Sequence, residues 1–341
     1  MTPQRLSLVQ LAASGLHHSG LLAPITRAVG YTRRTPAFPI LTYHRVNDDA
    51  DPFFGALPTA VFERQMRHVA RNYRVLPVEE LVVGLERGGL PRNALAITFD
   101  DGYRDNLTHA APILSRLGLP ATIFLATGFI GTAEVPWVDR LAHGLKKASA
   151  TKVRTPWNDE LDLTDEPARL RAMGRAREHL KRVPDEERHR QLEVLLGSLG
   201  VTDQRAFKNL MLSWDDVHAL QGLGFTIGAH TVNHPILSRV SPQRAWTEIL
   251  GARTMIESAC GAAPRAFAYP NGRAEDYTET VKRLVREAGF TCAVTTRFGL
   301  NTPNTNPWEL RRGQPWEHHL PTFALKLAWY RLSQSDQGME R

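Results

Sequence analysis

Short apolar, β-rich runs recur along this chain, separated by stretches with helical periodicity, and that alternation constrains the fold more than any other feature. The runs fall at 40–44, 74–77, 95–101, 121–127, 225–230, 266–270 and 291–296. Most are continuously apolar rather than strictly alternating, as strands buried on both faces are. Helical patterns occupy 58–72, 106–117, 241–258 and 276–288. Strands alternating with helices specify an α/β fold with a parallel sheet, open or closed into a barrel. The stretch from about 133 to 210 breaks the rhythm. It is rich in Arg, Glu and Leu and shows no strand pattern, and Thr164-Asp165-Glu166-Pro167 reads as a helix start. We read it as a helical insertion between the fourth and fifth strands that shapes a substrate groove, forms a partner surface or stands as a solvated appendage.

The polar residues gather at the ends of the runs. Asp100 and Asp101 end the third, His230 ends the fifth with His234 four residues on, and His44 ends the first. Tyr269-Pro270-Asn271-Gly272 ends the sixth. In parallel α/β folds the carboxyl ends of strands share one face, where ligand sites gather. Two imidazoles and one carboxylate can hold a divalent metal and leave positions open for water and substrate. The other carboxylate is then free to act as a base. Singly, each element has an ordinary reading. Asp-Asp before Gly caps a helix or makes a turn, a spaced His pair arises by chance, a strand-end His is a satisfied polar group, and Pro-Asn-Gly is a turn. Their joint placement on four strand ends is what points to a site.

Composition bounds the rest. With 341 residues, 42% hydrophobic and 23% charged, the chain can bury a large core and is ordinary for a soluble globular protein. No run reaches the ~18 apolar residues of a membrane span. Cys260 and Cys292 have no paired spacing, so a reducing compartment is the default. The net charge is +7, and no acidic residue precedes Asp48, whereas Arg5, Arg27, Arg33, Arg34 and Arg45 do. Leu6, Val9, Ala13 and Leu16 recur there at helical spacing. Gln10, His17 and His18 break the apolar stretch a secretory signal needs. Residues 1–36 therefore read as a basic amphipathic segment that lies on an anionic membrane face or packs on its own domain. The C-terminal run 323–332 poses the same choice. The basic residues are not interleaved with aromatics, which argues against nucleic acid. The expected location is cytoplasmic, with peripheral contact at the inner membrane.

Thr98-Phe99-Asp100-Asp101-Gly102 and His230-Thr231-Val232-Asn233-His234-Pro235 resemble the first two motifs of the polysaccharide deacetylase family, the NodB-homology domain of carbohydrate esterase family 4. Phe267-Ala268-Tyr269-Pro270-Asn271-Gly272 is similar to the third. Tyr43-His44-Arg45-Val46 and Leu212-Ser213-Trp214-Asp215-Asp216 resemble accessory signatures of its exopolysaccharide-associated members. The resemblance covers roughly 39–314. It implies a distorted (β/α)7 barrel over 37–315, carrying the 133–210 insertion and followed by a C-terminal tail, 316–341.

The resemblance also implies roles. Asp101, His230 and His234 bind the metal, zinc first, with cobalt, nickel or manganese fitting the same ligands. Asp100 is the general base for the attacking water, and the backbone N–H at Asn271 helps hold the oxyanion. Two departures stand out. The position where the family carries a base-orienting arginine is Ala268, so Arg312 is the candidate for that guanidinium. The late acid histidine is missing from Leu310-Arg311-Arg312. This resembles the permuted arrangement of biofilm poly-N-acetylglucosamine deacetylases, in which an early strand supplies it. His44 is then the general acid, and His318 and His319, in the tail, are the fallback.

The expected activity is metal-dependent removal of N-acetyl groups from hexosamine units of a bacterial exopolysaccharide or its lipid-linked precursor. The rivals are an amidase or deformylase on a small or lipid-linked sugar, and a catalytically silent carbohydrate-binding homologue. A non-haem iron oxygenase uses a similar triad but gives the second aspartate no role.

Overall fold

The computed structural model describes residues 13–15, 19, 36–201, 207–313 and 317–332. Its strands are β1 (Ile40–Tyr43), β2 (Arg74–Val75), β3 (Ala94–Phe99), β4 (Thr122–Leu125), β5 (Lys152–Arg154), β6 (Glu160–Asp162), β7 (Thr226–Ala229), β8 (Ala266–Ala268) and β9 (Cys292–Val294). The main sheet runs β1-β3-β4-β7-β8-β9, all parallel, with β2 pairing the start of β3.

Side chains on β3 divide by parity, as a pleated strand requires. Leu95, Ile97 and Phe99 join an outer core with the surrounding helices. Ala94 and Ala96 face an inner core with Ile40, Phe124, Ala266, Ala268, Cys292, Val294 and Leu310. The inner face is crowded, and small residues make the room. A Cβ on Gly228 would lie 2.4 Å from Phe124 Cδ1.

The sheet curls until its edges are joined by the short segment 310–313. Leu310 pairs with Val294 of β9 and Gly313 with Leu41 of β1, both in parallel. Thr295 N–H donates to Leu310 O at 2.8 Å, and Gly313 N–H donates to Ile40 O at 2.8 Å. This is the distorted barrel that the family resemblance implies, and it decides between the open and closed sheets that the seven runs allowed.

The helices are α1 (Thr59–Asn72), α2 (Val78–Arg87), α3 (Ala111–Arg116), α4 (Trp137–Lys147), α5 (Glu166–Leu180), α6 (Asp185–Leu199), α7 (Trp214–Gly222), α8 (Pro242–Cys260), α9 (Glu279–Glu287) and α10 (Leu320–Leu332). A π-helical turn, Asn106–Ala110, leads into α3. Caps explain several starts: Asp165 accepts from Ala168 N at 2.7 Å, Ser241 from Arg244 N at 3.2 Å and Thr278 from Val281 N at 3.2 Å. Ser213 and Asp216 form a reciprocal capping box on α7, with Arg104 reaching Asp216 at 3.2 Å. That gives the Ser-Trp-Asp-Asp signature a structural role.

The insertion holds α4, α5, α6 and its own core of Trp137, Leu141, Leu145, Leu161, Leu180, Leu192 and Leu195. It is not wholly helical as expected, because β5 and β6 form an antiparallel hairpin within it. Only Val153 and Leu161 at their centres point inward, between charged neighbours. Three-residue strands of this kind are too short to show a period.

The expected C-terminal tail contains α10, whose Phe323 and Leu327 are buried in the outer core. Gln65 on α1 donates to Glu317 O at 2.8 Å. Most of the basic N-terminal segment, 1–36, lies outside the described residues, as does its expected amphipathic helix. Within it Ala13 is buried, and Ser14 Oγ is 3.3 Å from His319 Nε2. No described helix is long and apolar enough to cross a membrane.

Candidate metal centre

Two strand ends deliver three ligand atoms to one point. Asp101 Oδ1 follows β3 and lies 3.4 Å from Nε2 of both His230 and His234, which follow β7. The two Nε2 atoms are 3.1 Å apart. Tetrahedral bonds of about 2.0–2.1 Å separate ligand atoms by roughly 3.3 Å, so this triangle has the size a zinc-like ion needs. His230 Nδ1 donates to Ala268 O at 2.7 Å, which turns its Nε2 inward. The ring contact is edge-on, 4.7 Å between centroids. Asp101 Oδ1 and His234 Nδ1 are buried without a hydrogen-bond partner among the described residues. An Asp-His-His donor set with orphaned buried atoms fits a divalent ion.

The loops that present these ligands are bent against their preference. Asp101, Thr231, His234 and Asn271 all have left-handed backbone, at φ 75°, 67°, 54° and 57°. Such conformations cost of order 1–3 kcal/mol each and persist only where the surroundings impose them. Here Thr231 Oγ1 accepts from His234 N at 3.0 Å, and buried Glu248 on α8 accepts from the amides of Val232 and Asn233 at 3.0 and 2.7 Å. Gly128 N–H donates to Val232 O at 2.8 Å. A Cβ on Gly128 would meet that same oxygen at 2.8 Å, so the close approach needs glycine.

Charge follows from burial and neighbours. Burial alone would raise Asp101, but its contact with His230 and its other imidazole neighbours outweigh that and hold it well below the usual carboxylate range. His230 is raised despite burial, held up by Asp101 and Asp100. His234 is pushed down to about 3, first by burial and then by the positive His230 and Arg188. Burial and neighbouring charges thus set the two imidazoles apart, His230 favouring its charged form and His234 its neutral one.

Asp100 is in a different environment from its neighbour. Arg312, fully buried on the closing segment, grips it with Nη1 to Oδ1 and Nη2 to Oδ2, both 2.7 Å. The guanidinium is itself fixed by donating Nε to Thr295 O at 2.7 Å, and Nη1 also reaches Thr98 Oγ1 at 3.3 Å. Burial would raise Asp100, but Arg312 beside it, with His230, holds it down and ionised. The guanidinium expected at position 268 therefore arrives from 312.

A cleft of about 610 Å³ contains the triad, Asp100, His44 and Asn271. His44 is half-buried there, and its carbonyl accepts from Asn106 Nδ2 at 2.8 Å. Asn271 Nδ2 is buried without a partner among the described residues. His318 and His319 do not line this cleft, and His319 Nδ1 is engaged with Thr322 Oγ1 at 2.8 Å.

The insertion forms part of the cleft wall, as the groove-shaping alternative expects, with lining residues that the sequence alone did not single out. Val138, Asp139 and Leu141 come from α4, Met173 and Arg177 from α5, and Lys181 from its end. The spacing 173-177-181 is one helix stripe beside the buried stripe Ala172-Ala176-Leu180, a signal present in the sequence. Asp139 accepts from Tyr103 OH at 2.8 Å and is buried. Burial first, with the charges of Asp101 and Asp105, raises it to about 7 against the Tyr103 bond and Arg45. An unfolded Asp loses its proton near pH ~3.9, so the folded state binds more protons between there and 7. Stability from this group is full below pH ~4 and is lost as pH rises through 7. Asp139→Asn should therefore gain on wild type by up to ~4 kcal/mol between pH 4 and 8 in urea titrations. A stability difference that does not vary with pH would refute this.

Comparisons with known proteins bear on the family and the fold. Residues 87–293 match the family model described as polysaccharide deacetylase. YxkH of Bacillus subtilis strain 168 is 22% identical over 283 residues, 82% of this chain and 72% of its own. The deacetylase PplD of Streptococcus pyogenes, solved with acetate, superposes with a TM-score of 0.58 at 19% identity over 86% of this chain and 99% of its own. IcaB from Ammonifex degensii gives 0.56 at 19% over 86% and 97%. These solved structures share the fold, and the model match extends from just before β3 into β9, through both halves of the Asp-His-His site, so the chain belongs to the polysaccharide deacetylase family.

Proposed function

We propose that the chain is a metal-dependent deacetylase acting on N-acetylhexosamine residues of a bacterial exopolysaccharide or its lipid-linked precursor. The observation that carries this reading is the division of labour between adjacent aspartates. Asp101 faces two imidazoles, while Asp100, next in the chain, is clamped by Arg312 and kept ionised. A divalent ion held by Asp101, His230 and His234 would polarise the acetamide carbonyl and acidify water. Asp100 takes the proton from the attacking water, and its bidentate clamp fixes the direction of that transfer. Donors at Asn271 face the oxygen on which negative charge develops. His44, on the wall of the same cleft, delivers a proton to the departing amine.

The test is acetate release from N-acetylglucosamine oligomers by protein loaded with Zn²⁺. Activity should vanish on chelation and return with metal. Zn²⁺ at about 100 times its Kd should also stabilise wild type by ~2.7 kcal/mol, and Asp101→Ala should lose both effects. No acetate from the loaded enzyme, or wild-type behaviour of Asp101→Ala, would overturn the reading.

A further inference from the structure

We infer that the cleft contains an anion subsite, built by Arg177, Lys181 and Arg273, that binds a phosphate group carried by the acetamido sugar. This rests on the deacetylase reading and names a substrate class within it. All three side chains line the cleft that holds Asp101, His230 and His234. They come from two distant parts of the chain: Arg177 and Lys181 from the last turn of α5 in the insertion, Arg273 from the loop after β8. Arg177 and Arg273 both stand close enough to Lys181 to repel its charge. The Lys181 ammonium is held down by burial and then by the charges of Arg177 and Arg273.

Cations in the last turn of a helix also complement its dipole, which alone would account for Arg177 and Lys181. It does not account for Arg273, which belongs to another element. The carboxylates near Lys181 are Glu178 and Asp276, and neither lines the cleft. Asp276 accepts from Arg273 N at 2.9 Å, and Glu275 is 3.9 Å from the Arg273 guanidinium on the exposed side. Arg177 and Lys181 form no ion pair among the described residues.

The cleft's other charges are already committed. Asp100 is bound to Arg312, Asp101 faces the imidazoles, and Asp139 holds Tyr103. Arg45, the remaining cation on the wall, pairs with Asp105 at 2.9 Å. Two cations unpaired among the described residues, Arg177 and Lys181, and Arg273, held only by a 3.9 Å contact with Glu275 on the exposed side, therefore line a cavity of the size that binds a small saccharide. Two guanidiniums and an ammonium match the several oxygens of a phosphate better than the two of a carboxylate. That phosphate could belong to a lipid carrier or to a phosphodiester within the glycan, and the chemistry of the subsite is the same for both.

Calorimetry on the full chain loaded with Zn²⁺ tests this with N-acetylglucosamine and its 1-phosphate as probes. The 1-phosphate should bind at least about tenfold more tightly. The double variant Arg177→Gln, Lys181→Gln should bring that ratio towards one. Arg171→Gln removes an exposed charge from the same helix outside the cleft and should keep the ratio. Equal binding of the two probes by wild type, or a ratio untouched by the double variant, overturns the subsite. A prenyl-diphosphate-linked sugar and a phosphodiester-linked disaccharide, titrated alongside, identify the source of the phosphate by which binds more tightly. Acetate release is measured separately. Its absence from every substrate counts against the deacetylase reading, whereas the phosphate preference is decided by the binding data alone.

Discussion

Replacing Arg312 with alanine should destabilise the protein by ~3–5 kcal/mol, because it leaves the Asp100 carboxylate buried without its counter-charge. Both side chains are almost wholly excluded from solvent, at 0% and 3% exposure. The same change should lower kcat far more than it raises KM, since Arg312 aims the base and does not line the cleft. Arg312→Lys separates the two effects. A lysine restores charge but not the two parallel bonds, so it should recover stability more fully than kcat. Urea unfolding and steady-state kinetics on the three proteins check this. Equal recovery of both quantities would mean that Arg312 serves only to hold the fold.

Asp100→Asn should reduce kcat by ~10²–10⁴-fold, the range for loss of a positioned base. The amide keeps the shape and can still accept from one arm of Arg312, but it cannot take a proton. Zn²⁺ affinity should stay close to wild type, because the carboxylate proposed to hold the metal is that of Asp101. Metal titration and acetate release on one preparation distinguish base from ligand. A variant that loses the metal along with activity would reverse the two roles.

The metal triangle was legible in the sequence because its parts are short, local and placed on strand ends. Asp100-Asp101 ends an apolar run, and His230 and His234 are separated by a fixed turn. Arg312 was legible only indirectly, through the alanine at 268 that left a guanidinium missing. What made its placement possible is pairing between 310–313 and two strands more than 200 residues apart in the chain, β1 and β9, which no local pattern encodes. The insertion's role stayed open between groove, partner surface and appendage for the same reason. Asp139 looks like an ordinary first-turn acid on α4, and only packing against Tyr103 buries it. The left-handed backbone at Asp101, Thr231, His234 and Asn271 was also hidden, because it is imposed by distant partners such as Glu248 and the Gly128 amide. The β5–β6 hairpin failed to register because charges flank each of its single inward residues.

The segment that seals the barrel also has a place in time. A ribosome makes this chain from the N-terminus, so residues 101, 230 and 234 all emerge well before 310–313. A nascent chain stopped short of Leu310 holds every metal ligand yet has an open seam between β1 and β9 and nothing gripping Asp100. The Asp101, His230 and His234 group is thus complete without residues 310–313, whereas the barrel seam and the clamp on Asp100 both depend on them.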